Sequence, residues 1–383
     1  MTFEPTSAAI GQAAGRSTIR VQENGCDGAP GKATTFTWER VEPLGYAELV
    51  AADLNHGPTI PLVFQGCRII DTDTELDRAQ VHTVRLTLES AFRSRTIGLV
   101  RNGWLPSALA ADVPDTIILL DRNVVSEIVG RFEGGKMTGS RSDFLDLLAS
   151  KPMRINPVLF AMEGNVRAMP TPALVLQQLE EVAAKLRRAL PKAQLVLGSD
   201  SLRGAMGLIE ESRQGFKRKQ AFLMQLAPAL TAPVGRKNAS ARWIEVFAAA
   251  DACKVPRSSL VVLAALSSIV VPNGQGPAKR LLKFKTNYTE EDAYNALADL
   301  RSLEFLIYLF SWFASVPTTF FTADKDLALF WCGLCASEFE SRGRGVHCSL
   351  APDKLLPGEY ASQWRSWVAE VPTQETPLDE ERP

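Results

Sequence analysis

The chain is poor in histidine, with three in 383 residues: His56, His82 and His347. That scarcity argues against an imidazole-built zinc centre and a histidine-dependent triad, and no G-x-S-x-G elbow offers a nucleophile. Six cysteines, Cys26, Cys67, Cys253, Cys332, Cys335 and Cys348, are too sparse for a disulfide scaffold and fit a reducing compartment. Cys332 and Cys335 have half of a zinc spacing, but His347 and Cys348 are adjacent, an awkward pair for one tetrahedral ion. Small buried hydrophobes are the expectation there. A formal net charge of −1 excludes a globally basic nucleic-acid binder while leaving room for a local basic surface. The apolar runs Leu260 to Val271 and Phe305 to Val316 fall short of the roughly 20 residues a bilayer requires, so buried helices and no membrane partner are expected. Residues 1–35 lack the apolar core of a signal peptide, which points to a cytoplasmic location. Gly28 to Thr34 lacks a complete phosphate-binding loop, because Cys26 stands where the first glycine belongs.

Apolar residues, by contrast, are plentiful: at 46% they can build one large domain or two ordinary ones. The most informative stretch is Asp115 to Gly130, DTIILLDRNVVSEIVG. Thr116 to Leu120 is an uninterrupted, β-prone apolar run, the pattern of a strand buried on both faces of a parallel sheet. Asp121 ends it, and Val124, Val125, Ile128 and Val129 follow at helical spacing. Ligands of open α/β sheets bind outside the carboxyl ends of the strands, so an acid there stands where chemistry is usually done. It stands equally well as a helix N-cap. A second stretch, Thr318 to Asp326, TTFFTADKD, repeats the plan: an apolar strand, the acids Asp324 and Asp326, then a helical pattern.

LLDRNVVSEI together with TADKDL resembles the PIN-domain nucleases, in which a first strand ends in Asp with Asn two residues on, and a late strand ends in T-x-D-x-D. Asp121 and Asn123, then Thr322, Asp324 and Asp326, carry that pattern here. INPVLFAMEGN, residues 155–165, supplies a third piece, with Glu163 in the place of the family's second acid on a helix, 42 residues after Asp121. Taken alone, Glu163 is an ordinary helix carboxylate. The resemblance implies a parallel PIN-like sheet flanked by helices and a site holding Mg2+ or Mn2+. Asp121, Glu163, Asp299 and Asp324 would be catalytic acids and ion ligands, Asp326 a further ligand, and Asn123 and Thr322 supporting residues. For the acid before the last strand, Asp299 and Glu304 compete on a helix expected over Glu290 to Phe313, and Asp299 is preferred. The two sit about 140° apart around the helix, too far to share one ion.

The chain departs from a compact PIN domain between residues 172 and 313, which look almost wholly helical. A helical insertion over about 190–285 accounts for the extra length. Residues 201–242 carry eight Lys or Arg against two acids, among them Lys217, Arg218 and Lys219. Lys279, Arg280 and Lys283 form a second cluster beside Phe284. Basic surface with an aromatic neighbour suits single-stranded nucleic acid, and its plain alternative is a solvated helix face. Residues 1–34 are expected to be flexible, 35–110 an N-terminal extension with a strand near 60–70 and a helix over 73–95, 111–350 the nuclease domain, and 369–383 a flexible acidic tail. The resemblance points to a metal-dependent endonuclease acting on RNA, with DNA as the other substrate and a protein inhibitor or a second copy as further partners. A non-catalytic relative that keeps the fold and binds nucleic acid is the alternative.

Overall fold

The computed structural model describes residues 5–13, 16–23, 31–139, 141–149, 151–164, 167–271, 276–343 and 345–369. The chain divides into two compact units, Met1–Glu210 with Ser302–Leu350, and Glu211–Arg301 with Ala351–Pro383.

The first unit opens with an antiparallel sheet. Its strands are β1 (Pro5–Ala13), β2 (Arg16–Glu23), β3 (Ala33–Thr37), β4 (Arg40–Val41), β5 (Thr59–Thr72) and β6 (His82–Glu89), with helix α1 (Tyr46–Ala51) between β4 and β5. The order is β1-β2-β3-β5-β4, and β6 pairs with β5 as well. Long β5 serves several partners because its register breaks between Phe64 and Cys67. Gly66 lies in that break at φ +67°, a conformation that favours a residue without a Cβ. Two expectations change here. Strands β1 and β2 occupy much of 1–34, where flexible chain was expected, and 24–30 lie outside the described residues. In place of a helix over 73–95 stands β6, whose sequence HTVRLTLE alternates so that Val84, Leu86 and Leu88 are buried while Arg85, Thr87 and Glu89 are exposed.

The second sheet of this unit is mixed. It is assembled from β7 (Ile97–Val100), β8 (Gly103–Pro106), β9 (Ile117–Leu120), β12 (Arg154–Asn156), β13 (Gln194–Leu195) and β14 (Thr318–Thr322), in the order β13-β12-β9-β14-β7-β8. A small hairpin, β10 (Phe132–Glu133) and β11 (Lys136–Met137), stands apart from it. Neighbours among β13, β12, β9 and β14 run parallel, while β7 and β8 add antiparallel strands at the β14 edge. Because β7 and β8 precede residue 111, the expected domain limit falls inside the sheet and moves towards the N-terminus. Ile118, Leu119, Leu120, Phe320 and Phe321 are each at most 2% exposed, as central strands demand. Burying each such side chain contributes about 1.5–3 kcal/mol.

Helices follow the strands: α2 (Ser107–Ala110) after β8, α3 (Arg122–Arg131) after β9, α4 (Val158–Glu163) after β12 and α5 (Pro172–Ala189). Thr171 caps α5 through its hydroxyl, and Pro172 occupies the first turn, where its missing N–H costs nothing. After β14 comes α11 (Lys325–Leu334), and then a separate hairpin of β15 (Ser337–Arg342) and β16 (Gly345–Ser349).

The second unit is helical. It contains α7 (Ala239–Ala252), α8 (Leu260–Val270), α9 (Pro277–Leu282) and α12 (Tyr360–Ala369), with the later part of α6 (Ser199–Leu230) and the earlier part of α10 (Glu290–Trp312). Trp243 and Phe247 of α7 pack on Tyr360 and Trp367, with ring centroids 5.1 and 4.7 Å apart. A helical insertion was expected over about 190–285; the compact unit comprises 211–301 together with the chain from 351, which includes α12. The acidic tail, 370–383, lies outside the described residues. Among the described residues no helix is long and apolar enough to cross a membrane.

Candidate functional site

Parallel strands ordered 3-2-1-4 carry a switch point between the first and fourth, where the chain turns from building one side of the sheet to the other. Here those strands are β9 and β14, and their carboxyl ends hold the sequence-predicted acids. Asp121 follows Leu120 directly. Its backbone N–H continues the sheet to the Phe321 carbonyl at 3.0 Å, so its side chain leaves from the last paired position of β9.

The Asp121 carboxylate accepts from the Val124 N–H at 2.6 Å, capping α3, and from the Ala323 N–H at 3.2 Å across the strands. The Thr322 hydroxyl donates to it as well. Thr322 is fully buried, and its oxygen accepts from the Asp324 N–H at 3.0 Å, so one hydroxyl ties the two acidic segments together. Asp324 caps α11 by accepting from the N–H groups of Asp326, at 2.8 Å, and Leu327, at 3.1 Å. Burial pushes the Asp121 carboxyl up to about 6, against the pull of its three hydrogen bonds, and the nearby Asp324 charge adds to the rise. No Lys, Arg or His forms an ion pair with either acid among the described residues. Lys325, set between Asp324 and Asp326, points its ammonium at the Ala52 carbonyl, 2.9 Å away, at the end of α1.

The other expected residues are less closely gathered. Glu163 is half-buried as the last residue of α4, a helix that packs on β9 and α3. Asp326 is half-buried in the first turn of α11, and Asn123 is exposed on α3. Asp299 and Glu304 are both half-buried on α10, the former in the second unit and the latter in the first. Phe310 of α10 packs on Trp331 of α11 at 6.0 Å between centroids. Glu304 and Lys325 each lie six residues before that contact, about 9 Å of helix rise. Among the described residues no group of three or more His, Cys, Asp or Glu could hold an ion together. The expected cluster of acids therefore stands as the Asp121–Asp324 pair. A pair still suits magnesium, which keeps several waters and takes one or two protein carboxylates. The cysteines offer no alternative: Cys332 is buried, Cys335 is exposed, and burial raises the thiols of Cys332 and Cys348, the latter to about 11. His56 is exposed and bonded to Asp53, and His82 is half-buried and bonded to the Asp77 carbonyl.

In the second unit Lys217 and Arg218 are exposed on α6 and Lys219 is half-buried beside them. Phe216, on the inner face, packs on Tyr294 at 5.3 Å with the Arg301 guanidinium 5.3 Å from its ring. Lys279 and Arg280 are half-buried on α9, and Lys283 is exposed at its left-handed C-cap. Phe284 is half-buried against Tyr288 at 5.3 Å, so only part of its ring is available for stacking.

A cleft of about 1360 Å3 opens at the other end of the mixed sheet, lined by Asp115, Thr116, Arg154, Pro317 and Thr318 at the amino ends of its strands. Lys151 there is bonded to Asp112 and Ser17, and Arg154 to the Asp115 carbonyl. It lacks paired, desolvated acids, and the carboxyl end remains the better chemical candidate.

Arg122 and Gly164 are not marked by any motif of the sequence. The first donates to the carbonyl of the second at 2.5 Å, joining the residue after Asp121 to the residue after Glu163. Only the run D-R-N hinted at it. No family model, curated protein or solved structure matches the chain.

Proposed function

We propose that the chain is a divalent-metal-dependent endonuclease with a PIN-like domain, acting on RNA in the cytoplasm. What carries this reading is the pairing of Asp121 and Asp324 at the switch point, one carboxyl desolvated to a pKa of about 6 and neither, among the described residues, matched by a side-chain cation. Two like charges at a partly dry site are costly, and an ion would relieve the cost. Asp121 and Asp324 would hold Mg2+ or Mn2+, with Glu163, Asp326 and one acid of α10 contributing through water. Such an ion lowers the pKa of bound water and offsets charge on the reacting phosphate oxygens. Thr322 keeps the two carboxylates in register, and the Val124 and Ala323 amides fix the direction of the Asp121 oxygens. Lys217, Arg218, Lys219, Lys279, Arg280 and Lys283 would neutralise substrate phosphates.

Of the two α10 acids, Glu304 belongs to the same compact unit as Asp121 and Asp324, whereas Asp299 belongs to the other. The proposed ligand is therefore Glu304 in preference to Asp299, and Glu304→Gln should cost more cleavage than Asp299→Asn across a Mg2+ series. Both variants should melt like the wild type.

The full capping role of Asp121 and Asp324 favours a second reading, a nucleic-acid-binding protein whose acids serve only α3 and α11. Incubating the protein with a mixed RNA pool in Mg2+, in Mn2+ and with a chelator separates the two. Cleavage that stops with the chelator supports the nuclease; RNA binding with no cleavage under any condition supports the alternative.

A further inference from the structure

Arg122 lies at the start of α3, next to Asp121, and its guanidinium reaches across to α4 in two ways. One Nη donates to the Gly164 carbonyl at 2.5 Å, and the guanidinium carbon sits 5.2 Å from the centre of the Phe160 ring. One contact falls on the short helix that ends in Glu163, the other on the residue that follows it. Gly164 ends this helix at φ +76° and ψ 163°, a backbone conformation essentially closed to residues with a Cβ. That conformation sets the direction of the carbonyl Arg122 meets. A six-residue helix has little stability of its own and takes its position from what it packs on.

We infer that Arg122 is a positioning residue: it latches the end of α4, and with it Glu163, to the carboxyl end of β9, so that the two acidic segments keep a fixed register. The inference rests on the proposed metal site for its purpose, but not for its geometry. A cation beside two carboxylates has a second conceivable role, neutralising them, and the two roles predict opposite signs. If Arg122 only supplied positive charge, removing it would relieve repulsion and tighten binding of a divalent ion. If it holds Glu163 in place, removing it loosens the ion's surroundings and weakens binding, as loss of an outer-shell partner typically does by about 10–100-fold.

The test uses the full chain and the variants Arg122→Met, Glu163→Gln and the double variant, each with a thermal melt. Amide hydrogen exchange of Val158–Glu163 is the readout that needs no metal: it should speed up about tenfold or more in Arg122→Met, with α5 unchanged. Titration with Mn2+ alone, by calorimetry, should show affinity weakened about tenfold in Arg122→Met. It should show no further loss when Arg122→Met is added to Glu163→Gln, because the latch acts through Glu163. Unchanged exchange in α4, or tighter Mn2+ binding in Arg122→Met, would overturn the inference. If the wild type binds no Mn2+, the metal-site reading fails by itself, and the exchange result still decides whether Arg122 holds α4.

Discussion

Asp121 and Asp324 end neighbouring parallel strands and cap the helices that follow, yet the chain delivers them differently. In LLD the acid is the first residue past β9, still hydrogen-bonded to the sheet, and it is enclosed deeply enough for burial to push its carboxyl up to about 6. In TAD the register pairs Leu120 with Phe321, so the buried position level with Asp121 falls to Thr322, and Asp324 stands two residues further out with two amides of its own helix on one oxygen. A difference of two residues divides the roles: one carboxylate is costly to ionise, and the other accepts from the first amides of a helix.

The largest effect is expected from Asp324→Ala. It removes an acceptor of two amides and a proposed ion ligand, so cleavage should fall at least about a hundredfold, beyond the usual cost of an outer-shell partner. Unfolding titrations should show a loss of about 1–2 kcal/mol, the cost of a missing cap.

A somewhat larger effect on stability, though not on activity, should come from pH acting on Asp121. Its folded pKa lies above the ordinary value, so the native state binds the proton more tightly than the unfolded chain. Stability from this group is present at low pH and is lost as pH rises from about 4 to about 6. Without divalent ions the loss should be about 2 kcal/mol, after allowance for partial exposure. The Asp121→Asn variant should lack this component of the pH dependence; identical slopes in the two proteins would show that Asp121 is not desolvated.

Next in size is Thr322→Val, which strands a carboxylate and an amide that share one hydroxyl. It should cost about 1–3 kcal/mol and raise the Asp121 titration further, because a hydrogen bond that favours the ionised form is gone. An NMR titration of the Asp121 carboxyl carbon would read that shift.

The smallest effect on the acid pair is expected from Lys217, Arg218 and Lys219 changed together to Glu. Stability should stay within about 0.5 kcal/mol, as for most surface changes. RNA binding should weaken with a shallower salt dependence, by about 0.7 in slope for each phosphate that is no longer neutralised. Equal RNA affinity at low salt would return this face to plain solvation.

What the sequence disclosed depended on how tightly side-chain pattern and structure are coupled in each segment. TIILL and TTFFT are apolar on both faces because central strands are, and the acids after them mark the strand ends plainly. Val175, Leu179, Val182 and Leu186 recur on one face, and α5 follows. His82 to Glu89 also carries its signal, an alternation of period two, set inside a longer stretch that reads as helix. The place of β7 and β8 at the sheet edge was not legible at all, since pairing of 97–100 with 320–322 is decided by packing over more than 200 residues of chain. Nor could spacing show that Arg122 would reach Gly164, a contact set by how α4 rests on β9.

Whether Asp121 holds an ion that serves RNA cleavage is decided by one paired measurement: cleavage of a mixed RNA pool in Mn2+ by the wild type and by Asp121→Asn, with Mn2+ calorimetry on both. The account predicts chelator-sensitive cleavage and Mn2+ binding in the wild type. In the variant, which keeps the Val124 cap and the fold, both should fall at least about a hundredfold. Wild-type cleavage by a folded Asp121→Asn protein, or a wild type that neither binds Mn2+ nor cuts RNA, would contradict it.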